Sequence, residues 1–474
     1  MAQSIESFTH SLRCRYTLPM PSAKDIAGIE AIADLLRSAA RDAKHRKIGI
    51  EIERIGMWPD CTPFGYEKTR TAEGQVREGA ESLLLALNQQ YGWPLSNNVD
   101  GRPLGLTPDT GNITLEPGSQ LELATEASVD LGSLVEKTQA FEAAVDRVSC
   151  PWGLRWIGLG TNPCNGPESI DVIPAVRYGL MTEYLGKRDT LGLSMMRVSS
   201  SVQVNLDYQS EDEGMEMLRV ALAAAPLSYA LFANSPLYKA KESGFLSFRR
   251  EIWKHTDPDR TGLLAQAFDD SFSFTSYAEH LWNYPLMYLQ NASKEYVASQ
   301  GKCLAQIARG EVSGVQADAT NRLNAVRQLF TEARIKPGYV EIRSLDGQRP
   351  RERYAAAAFW MGLLYDDQAR GLVLSELGKM SADSREQLLD ASAKEGLAAS
   401  TCGVNLYKLS EKLLEAAYLG LEKRGFGEEK FLVPIQENLR EAVAPAERVL
   451  KIFRETPTKK IPAVIAYAAQ SDLD

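Results

Sequence analysis

The stretch IGIEIERIG, residues 48–56, alternates apolar and charged side chains as a half-buried β-strand does. Alternate side chains of a strand point to opposite faces. Ile50 and Ile52 therefore share one face, and Glu51 and Glu53 the other. The apolar face must lie against a core. What lies against the acidic face decides what this strand, expected over 47–57, is for.

Three further stretches repeat the pattern. Within TLEPGSQLEL, residues 114–123, a strand expected over 111–124 places Glu116, Gly118, Gln120 and Glu122 on one face and Leu121 and Leu123 behind them. Over 198–208, Ser199, Ser201, Gln203, Asn205 and Asp207 share a face, backed by Val202, Val204, Leu206 and Tyr208. Over 339–345, Glu341 and Arg343 face away from Val340 and Ile342. A solvated antiparallel face also alternates in this way, but it ordinarily mixes Lys, Thr and Ser with its acids. Here Arg343 is the one cation among Glu51, Glu53, Glu116, Glu122 and Glu341. Neighbouring glutamates on one such face stand ~7 Å apart. Converging on a common pocket, they would repel strongly without cations between them. Magnesium or manganese, which favour carboxylate, water and phosphate oxygen, suit that role. The alternation fits either a wet face or a metal-lined pocket.

Outward from these strands, helices are expected over 23–45, 78–91, 131–150 and 214–233, with a long loop at 58–77 and a short strand at 156–159. Beyond 351 the chain reads as helical to about 454, ending in a short tail. Strands interspersed with helices and long loops indicate an α+β protein. No repeat or linker divides it, so a single catalytic domain over 1–474 is expected, with its core at about 45–455.

The chain has 474 residues, 44% of them hydrophobic, and a net charge of -9. That charge argues against nucleic acid as a main partner, since phosphate backbones require clustered Lys and Arg. No run of about 18 apolar residues suggests a membrane span. Six cysteines lack CxxC spacing, which points to a reduced, cytoplasmic protein. Residues 1–16 carry neither a signal peptide nor a basic transit sequence. The four histidines lack zinc-site spacing.

No GxxxxGK[ST] loop and no GxSxG elbow occurs. A nucleotide enzyme built this way would hold phosphates through carboxylate-bound metals and arginines. Arg177, Arg249, Arg260 and Arg343 are available. A lone arginine is more often half of a surface ion pair, but Arg249 and Arg343 have apolar or β-strand neighbours that set them apart. A guanidinium suits a carboxylate or a transferring phosphoryl group.

With these residues in view, the chain resembles the plant and proteobacterial type of glutamate–cysteine ligase, a carboxylate–amine ligase related to glutamine synthetase. The resemblance rests on IGIEIERIG (48–56), ITLEPGSQLELA (113–124), PAVRYGLMTEYL (174–185), LGLSMMRVSSSVQVNLDY (191–208), LFANSPLYKAKESGFLSFRREIWKHTDPDRTG (231–262) and YVEIRSLDG (339–347). It implies a funnel-shaped, mostly antiparallel sheet with the active site on its inner face, wrapped by helices. It also implies ATP as co-substrate, magnesium (or manganese), and a γ-glutamyl phosphate that cysteine attacks, the first step of glutathione-type thiol synthesis. Glu51, Glu53, Glu116, Glu122 and Glu341 resemble metal ligands, with Gln203 where related enzymes use a metal-binding histidine. Arg177 and Arg249 resemble the arginines that hold glutamate, and Arg343 a phosphate or transition-state contact, which makes Arg249 and Arg343 the catalytic candidates. The chain departs from the family over 282–330, including ATNRLNAVRQLFTEAR (319–334). That region helps form the acceptor pocket, so another amine in a specialised pathway is the alternative. Tyr288 is a candidate for that pocket or a core aromatic. Small-molecule substrates and a monomer or homodimer are expected. A non-catalytic homologue would have lost several of these acids.

Overall fold

The computed structural model describes residues 22–109 and 111–470; the expectations for residues 1–16 lie outside them. Its centre is a nine-stranded sheet in the order Ala333–Lys336, Tyr339–Asp346, Ser201–Asp207, Ile48–Met57, Leu121–Thr125, Gly111–Leu115, Gly105–Leu106 and Leu95–Ser96, with Arg155–Ile157 also paired to Ile48–Met57. These pairings are antiparallel. The α+β class and the mainly antiparallel sheet agree with the sequence reading.

The alternation in Ile48–Met57 does what its period demands. Ile50 and Ile52 are buried on the back, together with Val202, Val204, Leu206, Val340 and Ile342. Helices Glu211–Phe232 and Pro350–Tyr365 pack against this back. Each such side chain stabilises the fold by ~1.5–3 kcal/mol through burial. Glu211–Phe232 is apolar and long enough to cross a membrane by composition, yet 89% of its apolar window is buried within the protein. A register shift between Ile342 and Leu345 makes a bulge at Arg343 and Ser344. Bulges re-aim side chains, and this one lets Arg343 N donate to the Glu332 carbonyl (2.9 Å).

Several boundaries differ from expectation. The strand expected over 111–124 is a hairpin of Gly111–Leu115 and Leu121–Thr125. Pro117, Gly118 and Ser119 form its turn, with Ser119 at φ 65°, Ser119 N donating to the Glu116 carbonyl and Glu116 N to the Gln120 carbonyl. Glu116 and Glu122 thus belong to the two arms of a hairpin rather than to one strand. The N-terminal helix is Ala23–Ser38, followed by a 3-10 turn at Ala43–His45. The loop at 58–77 holds a small hairpin, Thr69–Arg70 with Val76–Arg77. The expected tail contains the helix Lys460–Ala468. This helix covers strand Arg155–Ile157, with Gly158 N donating to the Ala468 carbonyl (3.1 Å) and Val464, Ile465 and Ala468 sharing a core with Ile157 and Leu159.

Candidate active site

The register brings the acidic fronts together. Glu53 stands directly opposite Glu122, and Glu51 opposite Gln203. Like charges opposed across a ladder destabilise a sheet. Glu51, Glu53, Glu116 and Glu122 line one cavity of about 210 Å³. Glu53 accepts hydrogen bonds from Ser201 N (2.8 Å), Ser201 Oγ (2.9 Å) and Gln203 Nε2 (3.1 Å). Glu51 accepts from Asn205 Nδ2 (2.9 Å) and lies 3.8 Å from Lys336 Nζ. Burial, then the charge of Glu116, pushes Glu53 up to about 7. Burial, with Glu116 and Glu51 beside it, raises Glu122 well above the usual carboxylate range. Glu122 and Glu116 are in hydrogen-bond contact, which two carboxylates tolerate only with a proton or cation between them. Carboxylate oxygens held away from water and repelling one another are the donor set a hard divalent ion takes. Among the described residues no three acids already converge on a common ligand point. The bonds to Ser201, Gln203 and Asn205 draw Glu51 and Glu53 toward the strand Ser201–Asp207.

Two members of the expected metal set are placed differently. Glu341 is fully buried behind the cavity wall. Its carboxylate is held by Arg334, by Lys336 and by Arg343 Nη1 (3.0 Å). Burial alone would raise it, but these three cations hold it well below the carboxylate range. Its charge is already matched, so Glu341 anchors Arg343 rather than joining the four acids that line the cavity. Gln203 lines the cavity but is engaged at both ends, its Oε1 accepting from Arg343 Nη1 (2.7 Å) and its Nε2 donating to Glu53.

The basic side of the cavity starts from helix Phe248–Lys254. Arg249 is 2% exposed; Nη2 donates to the Arg343 carbonyl (3.1 Å), while Nε and Nη1 have no partner. One helical turn on, the Trp253 ring lies 5.5 Å from the Arg249 guanidinium and 5.6 Å from that of Arg343. Its buried indole N–H is also unpartnered. Buried donors without acceptors are rare and costly; the two side chains that carry these three line the same cavity. Arg177, on helix Val176–Leu185, lines the same cavity and donates to the Tyr178 hydroxyl (2.9 Å). Tyr288 lines it from the hairpin Tyr288–Gln290/Tyr296–Ala298. Arg260 does not reach it: Asp257 and the carbonyls of Gln328 and Pro285 occupy its guanidinium.

The expected Glu51, Glu53, Glu116, Glu122, Gln203, Arg177, Arg249, Arg343 and Tyr288 are thus brought to one cavity. Trp253, Arg327, Phe330 and Arg334 line it as well and escape the sequence reading. Trp253 has a usable signal, four residues after Arg249 and so on the same helix face. Arg334 has another: ARIK, residues 333–336, alternates basic and apolar side chains.

Residues 70–465 match the family profile described as glutamate–cysteine ligase family 2. The chain is 33% identical over 427 residues to the chloroplastic glutamate–cysteine ligase of Arabidopsis thaliana, covering 90% of this chain and 79% of that one. It is 33% identical over 426 residues to the chloroplastic enzyme of Medicago truncatula, covering 89% and 81%. In three dimensions it resembles a glutamate–cysteine ligase from Francisella tularensis solved in complex with AMP, at a TM-score of 0.55, 15% identity and 90% coverage of each chain. That likeness concerns the fold. The chloroplastic relatives overturn the expectation of a cytoplasmic protein, which rested on cysteine spacing and the lack of recognisable leader features.

Proposed function

Since the chain belongs to glutamate–cysteine ligase family 2, we propose that it joins the side-chain carboxyl of glutamate to the amino group of cysteine, with ATP as co-substrate. The observation that carries the reading is one cavity with repelling acids on one wall and unpartnered buried donors on the other. A whole chain acting as a single catalytic domain fits this arrangement.

A carboxylate is a poor electrophile, and phosphorylation supplies its leaving group. The γ-carboxylate of glutamate attacks the γ-phosphorus of ATP and ADP departs. The acceptor amine then attacks the acyl carbon, phosphate leaves, and the amine gives up a proton. Glu53, Glu116 and Glu122, with Glu51 beside them, would hold divalent ions. Such an ion, magnesium in this reading, would screen the negative charge of triphosphate and carboxylate.

Arg249 and Trp253 offer their free N–H groups to the α-carboxylate of glutamate, which aligns the γ-carboxylate with the phosphate. Arg177 adds positive charge to the same cavity. Arg343, steadied by Glu341 and Gln203, presents its guanidinium where charge develops on the transferred phosphoryl group. Pre-anchoring removes the reorganisation a freely moving arginine would require.

The test is ADP formation by purified protein with ATP, magnesium, glutamate and a panel of amines. Glutamate-dependent turnover stimulated by cysteine is the expected result. Turnover that cysteine fails to stimulate, while another amine does, would reject cysteine as the acceptor.

A further inference from the structure

Arg249 is the second residue of the short helix Phe248–Lys254 and is buried. Its guanidinium makes one hydrogen bond, to the Arg343 carbonyl, and no ion pair among the described residues. A long side chain so lightly tethered needs its backbone and its charge fixed from elsewhere.

Both are met by Asp346, the last residue of the strand Tyr339–Asp346. Asp346 is 1% exposed and lies behind the cavity wall, not on it. Its Oδ2 accepts from Asn234 N (2.7 Å) and Ser235 Oγ (2.7 Å), and its Oδ1 from Ser247 Oγ (2.8 Å). The Ser235 hydroxyl, having donated to Asp346, accepts from Arg249 N (3.0 Å). Ser247 immediately precedes the helix, yet its side chain caps no helical N–H and turns to Asp346 instead. One carboxylate therefore holds the start of the helix at two points, Ser247 directly and Arg249 through Ser235. A Cβ on Gly160 would stand 2.6 Å from Asp346 Cγ, so backbone closes on the carboxylate from a further side.

The three donors to Asp346 are neutral, and a buried carboxylate held by neutral donors alone is costly. Burial pushes its carboxyl up, and the charge of Arg249, ahead of each hydrogen bond, draws it back. The two buried charges thus compensate each other without a direct ion pair.

We propose that Asp346 is a positioning residue for glutamate binding: it sets the start of the helix Phe248–Lys254 through Ser235 and Ser247, and its charge steadies the buried Arg249 guanidinium. This deepens the ligase reading and rests on it. Asp346 acts through Arg249 and lines no part of the cavity itself. An amide at this position keeps the shape but offers one acceptor oxygen in place of two, and the counter-charge is lost with it.

The test measures glutamate-dependent ADP formation by the full chain with ATP, magnesium and cysteine. In Asp346→Asn the KM for glutamate should rise about tenfold, as loss of a charge-assisted contact implies, while the KM for ATP stays unchanged. Ser235→Ala, which cuts the side-chain link to Arg249 N, should raise the glutamate KM about fivefold. The deciding measurement places each change in an Arg249→Lys background. A residue that acts through Arg249 adds little there, so the paired effects on glutamate KM should fall well short of multiplying. Should Asp346→Asn fail to fold, Ser235→Ala carries the same comparison. Effects that multiply in the double variants, or a lower kcat with unchanged glutamate KM in the single ones, overturn the assignment and leave the ligase reading intact. No glutamate-dependent ADP formation by wild type overturns both.

Discussion

Glu53 illustrates how one side chain can favour chemistry and oppose stability at once. It is buried opposite Glu122, and its charge is resisted by both burial and Glu116. Glu53→Gln should lower turnover on the order of a hundredfold or more with little change in melting temperature, since the repulsion it removes offsets the acceptor lost toward Ser201 or Gln203. A comparable loss of activity and thermal stability would point to a structural role instead. Arg249→Lys tests the opposite wall. A lysine lacks the planar guanidinium that fixes several N–H donors in set directions, so the KM for glutamate should rise about tenfold. Steady-state kinetics with unchanged glutamate KM would remove Arg249 from the donor site. Glu51, Glu53 and Glu122 are legible in sequence because period-2 alternation survives within unbroken strands. Glu341 shows the limit of that logic. Its face is readable, but the Arg334 and Lys336 that neutralise it come from a neighbouring strand, and strand pairing leaves no mark in the local pattern.

Elements rather than single residues place Glu116 and Tyr288. Glu116 depends on the hairpin turn at Pro117–Ser119. A Cβ on Gly118 would lie 2.5 Å from the Arg197 carbonyl oxygen, a clash with backbone that has little freedom to move. Gly118→Ala should cost about 1–3 kcal/mol, seen as a lower denaturation midpoint, and should reduce turnover by moving Glu116. The turn residues in EPGS signal a break, yet the alternation of Glu116, Gln120 and Glu122 conceals it, because a tight hairpin returns alternate residues to the same face. Tyr288 depends on Gln328, which accepts from Met287 N (2.7 Å) and Tyr288 N (3.3 Å) through Oε1 and donates through Nε2 to the Tyr288 carbonyl (3.0 Å). Gln328→Leu leaves main-chain groups at Met287 and Tyr288 unpaired, and should cost about 1–3 kcal/mol for each buried group. Its catalytic effect should fall on acceptor KM more than on glutamate KM. Nothing in residues 282–330 announces this clamp: a side-chain amide standing in for a strand partner has no periodicity.

For the whole molecule, the sheet's acidic face links folding to cation binding. Anything that binds the native state alone stabilises it by mass action. Magnesium should therefore raise the melting temperature by about a few degrees, and the rise should disappear in Glu53→Gln. An equal rise in that variant would place the ion elsewhere. The α+β class follows from strands and helices readable one by one, whereas the strand order of the sheet emerges only from long-range pairing, as where Ser201–Asp207 lies between Ile48–Met57 and Tyr339–Asp346. The helix Lys460–Ala468 escapes the sequence reading for a related reason: it is short, and its apolar face makes sense only against Ile157 and Leu159. A chain cut back to residue 459 would leave the strand Arg155–Ile157 as a bare rim, with its outer backbone groups and greasy side chains open to another copy. Bare rims of that kind recruit one another, so the shortened protein should scatter light and sediment as aggregates where the full chain stays in solution.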